Sequence, residues 1–217
     1  MTFLIFQIIN NYKRISIGEI MLSFREFLNE TSGTTRTTVK PKNRRELYDI
    51  IEETIEEQGN NCDLNFIDTS LITDMSELFS DFAEFNGDIS GWDVSSVKKM
   101  NRMFYGSKFT GDISKWDVSK VVDMNRLFRD SKFNGDISKW NTSKVENMEQ
   151  MFYGSKFTGD ISKWNTSKVE NMAFMFSASV FNGDISEWNV SKVKDMHEMF
   201  YDSPLEGHEP DWYDLIY

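Results

Sequence analysis

Residues 109–132 read FTGDISKWDVSKVVDMNRLFRDSK, and residues 133–156 read FNGDISKWNTSKVENMEQMFYGSK. One pattern is written twice, 24 residues apart, and its tryptophan recurs at Trp92, Trp116, Trp140, Trp164 and Trp188. Self-similarity at a period of about 20 to 50 residues marks a repeat array, in which each unit buries its apolar face only against its neighbours. The expected fold class is an α/β solenoid. An enzyme is not expected, because such arrays present a surface rather than a pocket.

Within one unit, Ile113, Trp116 and Val118 have the I-x-x-W-x-V spacing of a short strand. Val121, Met124, Leu127 and Phe128 follow at i, i+3, i+6 and i+7, the stripe of a short helix. Thr110-Gly111 or Asn134-Gly135, each followed by Asp, supplies the turn into the next unit. This predicts a right-handed coil with a parallel sheet on one side, its rungs about 4.8 Å apart, and short helices on the other. The five tryptophans are then a structural ladder inside one continuous core.

The array runs over residues 61–203 as about six units of 24–25 residues, the first (NCDLNFIDTSLITDMSELF) being degenerate. Residues 204–217 read as a C-terminal cap, with Trp212 in register and Pro210 unable to donate to a further ladder. An N-terminal capping helix is predicted within 43–60. Asn43 caps it, Glu46 completes a capping box, Leu47, Ile50, Ile51 and Ile55 form the buried face, and Gly59 ends it. Residues 21–42 read as a short helix (Phe24, Phe27, Leu28) and a threonine-rich linker. Residues 1–20 read as an upstream mis-start or a leader, with Met21 the natural start.

The net charge of −11 over 217 residues argues against nucleic acid and against anionic membrane. The run TFLIFQII is too short to span a bilayer and lacks the flanks of a secretion signal. A single cysteine, Cys62, excludes an intrachain disulfide and fits a reducing compartment. No phosphate loop, dinucleotide fingerprint or metal-ligand spacing is present. No cofactor, metal or catalytic residue is expected.

The pattern D-I-S-x-W-[DN]-[VT]-S-x-V-x-x-M-x-x-M-F-x-x-S resembles the BspA-like leucine-rich-repeat proteins, also described as a mycoplasma-type lipoprotein repeat of unknown function. The resemblance implies a leucine-rich-repeat-like coil used for protein binding or surface attachment, and no catalytic residues. Val121 and Val145 stand where an ordinary leucine-rich repeat has its asparagine. A weaker resemblance links MLSFREFLNE, residues 21–30, to the head-targeting leaders of T4-like bacteriophages. Thr31 departs from the residue expected after such a cleavage site.

Asp88, Asp112, Asp136, Asp160 and Asp184 form a column in which each side chain is expected to accept backbone N–H bonds in its own turn, rather than to hold calcium. Lys115, Lys139 and Lys163 stand beside Asp117, Asn141 and Asn165 on a face that hardly varies. Asn141-Thr142-Ser143 and Asn165-Thr166-Ser167 match glycosylation sequons that read as incidental. Variation lies on the helical side, where Tyr105, Tyr153 and Tyr201 recur in every second unit and Phe174 replaces a polar residue. These four aromatics are the candidate partner patch, with Phe174 expected in solvent. The function expected is non-enzymatic recognition of a protein partner by a phage or bacterial protein, in a host cytoplasm or a virion. A structural virion component and a surface adhesin are the alternatives.

Overall fold

A computed structural model describes residues 38–213, so the readings for residues 1–37, the phage-like leader among them, lie outside the described residues. The first element is α1, Arg44–Gln58. Asn43 sits in extended backbone and its Oδ1 accepts from the Glu46 amide at 3.0 Å, while Glu46 Oε2 accepts from the Lys42 amide at 2.9 Å. Two amides left over at the helix start are thereby satisfied. At the other end Gly59, at φ 81°, donates to the Ile55 carbonyl and turns the chain out. Leu47, Ile51 and Thr54 form the fully buried stripe, with Ile50 and Ile55 flanking it. Thr54 is tolerated there because its hydroxyl donates to the Ile50 carbonyl at 2.7 Å.

Beyond α1 the chain winds into stacked coils built from turns. In one coil, amides close back three residues at Trp116 onto Ile113, Val121 onto Val118, Leu127 onto Met124, Arg129 onto Arg126 and Ser131 onto Phe128. Each coil is hydrogen-bonded to the next. The amides of Met100, Arg102, Phe104 and Gly106 donate to the carbonyls of Asp123, Asn125, Leu127 and Arg129. Val122 donates back to Lys98. The parallel contact narrows to single bridged residues, Asp74, Lys99, Asp123, Asn147, Asn171 and Asp195 down the stack, with Val39–Ile67 and Asp63–Asp88 as further bridges at its start.

The expected α/β coil with a parallel sheet and short helices is therefore overturned. Among the described residues α1 is the only helix, and no strand or sheet forms. Two features of the repeat explain it. First, Arg102, Arg126, Gln150, Phe174 and Glu198 have φ between 48° and 57°. The residues four further on (Gly106, Asp130, Gly154, Ala178 and Asp202) have φ between 53° and 64°. A left-handed residue cannot continue a right-handed helix, so the apolar stripe Met124, Leu127, Phe128 is made by turns instead. Second, the segment read as a strand is folded by its own side chains. Asp112 accepts from the Ser114 amide and Asp117 from the Ser119 amide, both within two residues. Such local bonds compete with an extended ladder.

The core runs through the stack. Trp92, Trp116, Trp140, Trp164 and Trp188 are each 4% exposed, and Phe104, Phe128, Phe152 and Phe176 are fully buried. The phenylalanine rings lie parallel from coil to coil at 5.7–5.8 Å between centroids. Each indole also carries a bond that its spacing alone does not show. Trp116, Trp140, Trp164, Trp188 and Trp212 Nε1 donate to the carbonyls of Ile89, Ile113, Ile137, Ile161 and Ile185 in the preceding coil. A buried indole N–H needs such a partner. The turn glycine has a steric role: a Cβ on Gly111 would lie 2.7 Å from the Phe109 ring.

Candidate interaction face

The aspartate column behaves as local turn chemistry. Asp88, Asp112, Asp136, Asp160 and Asp184 each accept the amide two residues on, at 2.9 Å, from Ser90, Ser114, Ser138, Ser162 and Ser186. The hydroxyl and then the amide of the partner serine hold Asp112 and Asp136 below the usual carboxylate range, and the amide leads for Asp88, Asp160 and Asp184. Hydrogen bonding to the charged form has that effect. No group of three metal-ligating side chains occurs among the described residues. The sequon asparagines Asn141 and Asn165 are exposed and make the same turn with Ser143 and Ser167.

The four candidate aromatics stand at or beside left-handed positions: Phe174 has a positive φ itself, and Tyr105, Tyr153 and Tyr201 directly precede Gly106, Gly154 and Asp202. Tyr105 and Tyr201 are 38% and 58% exposed. Tyr153 is half-buried, and so is Phe174, against its expected exposure, because the His197 ring meets it edge-on at 5.3 Å. Tyr105 and Tyr153 are joined by a residue that the spacing of tyrosines hides. Arg129 occupies the same repeat position in the coil between them, its guanidinium 5.8 Å from the Tyr105 ring and 4.3 Å from the Tyr153 ring. A cation held against two π faces stiffens all three side chains. Tyr201 is not part of this group: the coil between it and Tyr153 has the buried Ser177 at that position.

Beside the Tyr–Arg–Tyr row runs the left-handed row. Arg126 Nη2 pairs with Glu149 at 2.6 Å, its Nε donates to Gln150 Oε1 at 3.1 Å, and its Nη1 donates to Asn125 at 3.2 Å. Arg129 donates to the same Gln150 oxygen and pairs with Asp130 at 3.2 Å. Arg102 pairs with Glu77 at 3.1 Å, and Arg44 of α1 approaches the same carboxylate at 3.8 Å. Glu77, Ser80, Arg102, Tyr105, Arg126 and Arg129 line an open groove between these rows. The sequence held one usable signal for Arg102, Arg126 and Arg129. Laying the chain out at period 24 puts 105, 129 and 153 in one column and 102, 126, 150 and 174 in the next.

A family model described as "Mycoplasma protein of unknown function, DUF285" matches residues 48–156 and 129–206. The chain belongs to this family. The two matches overlap and together run from within α1 to just past the last full coil of this DUF285 chain, which supports the mycoplasma-type repeat at that level. They do not reach residues 21–30, and nothing supports the phage-leader resemblance. No curated protein and no solved structure matches the chain at a significant level. No helix among the described residues is long and apolar enough to cross a membrane.

Proposed function

We propose that this chain is a non-enzymatic protein-recognition module of the BspA-like kind, and that it meets its partner on the Tyr105–Arg129–Tyr153 row and the adjoining Phe174. One observation carries the reading. Residues that differ from coil to coil, the aromatics among them, concentrate on the left-handed turns, whereas the G-D-I-S-x-W side repeats almost unchanged. A surface that grips an irregular partner has to vary, and aromatic and arginine side chains supply most contact energy in protein interfaces.

Affinity capture from native cells tests it, comparing the wild type with Tyr153→Ser/Phe174→Asp and with Lys163→Glu on the repeated side. Capture of a defined partner should fall in the first variant and persist in the second. Equal capture by both variants would reject the face.

A further inference from the structure

We infer that Asn182 is a site of spontaneous deamidation, at which the Gly183 nitrogen closes on the Asn182 side chain and the asparagine becomes aspartate or isoaspartate. The two other Asn-Gly pairs of the chain are held back by the coil that follows them.

The sequence supplies its own control. Residues 85–90, 133–138 and 181–186 all read FNGDIS, so Asn86, Asn134 and Asn182 share the same immediate neighbours and the same intrinsic reactivity. Glycine after asparagine leaves the attacking nitrogen unshielded and the backbone free to turn. All three asparagines are exposed, so access to water does not distinguish them.

Their side-chain bonds are what differ. Asn86 Oδ1 accepts from the Thr110 amide at 2.8 Å and from the Thr110 hydroxyl at 3.2 Å. Asn134 Oδ1 accepts from the Thr158 amide at 2.8 Å, and its Nδ2 donates to the Thr158 hydroxyl at 3.1 Å. In both cases the partner is the threonine 24 residues on. The same step from Asn182 reaches Glu206 of the C-terminal cap, whose amide closes on the Ser203 carbonyl instead. Among the described residues nothing holds the Asn182 side chain, and no carbonyl accepts the Gly183 amide.

The reaction needs no co-reactant but water. The Gly183 amide nitrogen gives its proton to solvent and attacks Asn182 Cγ. The N–Cγ bond forms, the Cγ–Nδ2 bond breaks, and Nδ2 takes a proton from solvent and leaves as ammonia. Water then opens the cyclic imide. Opening at Cγ gives aspartate, and opening at the main-chain carbonyl gives isoaspartate, with one extra carbon in the backbone. Attack requires Cγ to swing onto the following nitrogen, which breaks two bonds to threonine at Asn86 and at Asn134 but none at Asn182. Either product adds one negative charge to a chain already at −11.

The test holds the full chain, folded, in mildly alkaline heavy-oxygen water for some days. Mass spectrometry then follows the three peptides, since each hydrolysed imide takes up one labelled oxygen. Asn182 should convert at least about fivefold faster than Asn86 or Asn134, the factor expected for two hydrogen bonds of ordinary net strength. In denaturing urea the three rates should become equal. An isoaspartyl methyltransferase should label the aged folded chain and leave an aged Asn182→Thr chain, which carries the residue found at 110 and 158, nearly unlabelled. No conversion at Asn182 in the folded chain, equal rates in the folded state, or the same lead for Asn182 in urea would each overturn the inference. The rate comparison within the wild type stands even if the variant folds poorly.

Discussion

Ala178 has a φ of 54°, at the position filled by glycine in two other coils, Gly106 and Gly154. An L-residue there costs about 1–2 kcal/mol, and glycine returns part of that through its freer unfolded chain. Ala178 is also exposed, so no packing is lost with its methyl group. Ala178→Gly should stabilise the protein by about 0.5–1 kcal/mol in urea unfolding; a loss of stability would mean that the left-handed turn is not strained. The opposite sign is expected at Gly111. Gly111→Ala drives a methyl group into the ring of the fully buried Phe109 and should cost about 1–3 kcal/mol. The indoles offer a third residue-scale test. Trp140→Phe keeps an aromatic ring but strands the Ile113 carbonyl, with an expected loss of about 1–3 kcal/mol in the same assay.

At the scale of the element, α1 was the most legible part of the chain. A capping asparagine, a glutamate three residues on, an apolar stripe and a terminal glycine all act within one helix, so the reading needs no distant partner. Asn43→Ala should lower the melting temperature through loss of one cap, about 1 kcal/mol; an unchanged melt would show that Glu46 alone suffices. The coils were misread for the opposite reason. Met124, Leu127 and Phe128 point inward at helical intervals, yet they are spaced by turns through Arg126 and Asp130. Arginine does not announce a left-handed backbone, and aspartate, although it enters that region more readily than most residues, does so too seldom to mark the turn. Ile113, Trp116 and Val118 share the inner side as a strand's residues would, but Asp112 and Asp117 fold the segment between them into turns. Periodicity identifies which side chains are buried, and several backbone paths satisfy the same periodicity.

At the scale of the whole molecule, the turn aspartates couple stability to acid. Asp112, Asp117 and Asp136 are held below their unfolded range by partner hydroxyls and amides, Asp88, Asp160 and Asp184 by amides first, and Asp68 is lowered to about 2, chiefly by its bond from Lys40. A carboxylate whose folded value is depressed contributes stability above its unfolded value, near about 3.9, and loses it as pH falls through the folded value. The melting temperature should therefore stay level from neutral pH to about pH 5 and then decline steadily toward pH 2. Each group is largely in water, so the decline is the sum of small terms. Asp112→Asn/Asp136→Asn/Asp160→Asn keeps the turns, as Asn141 and Asn165 do, and should show a shallower acid limb. An equally steep limb in this variant would place the acid sensitivity elsewhere.

The candidate face was partly visible in the sequence. Tyr105, Tyr153 and Phe174 stood out as aromatics that break the repeat, but Arg129 between the tyrosines became a partner only once coils 24 residues apart lay side by side. Composition and spacing by themselves determined that the chain repeats, that tryptophan, phenylalanine and methionine are its interior, that each turn aspartate serves its own turn, and that α1 begins at an asparagine cap. These are local or strictly periodic facts, and a linear chain carries them in full. Only the tertiary structure decided that the coils are turns instead of strands and helices, that each indole bonds to the coil before it, and that three arginines share a groove. Those features depend on left-handed backbone and on contacts between successive coils, which exist only after the chain has closed on itself.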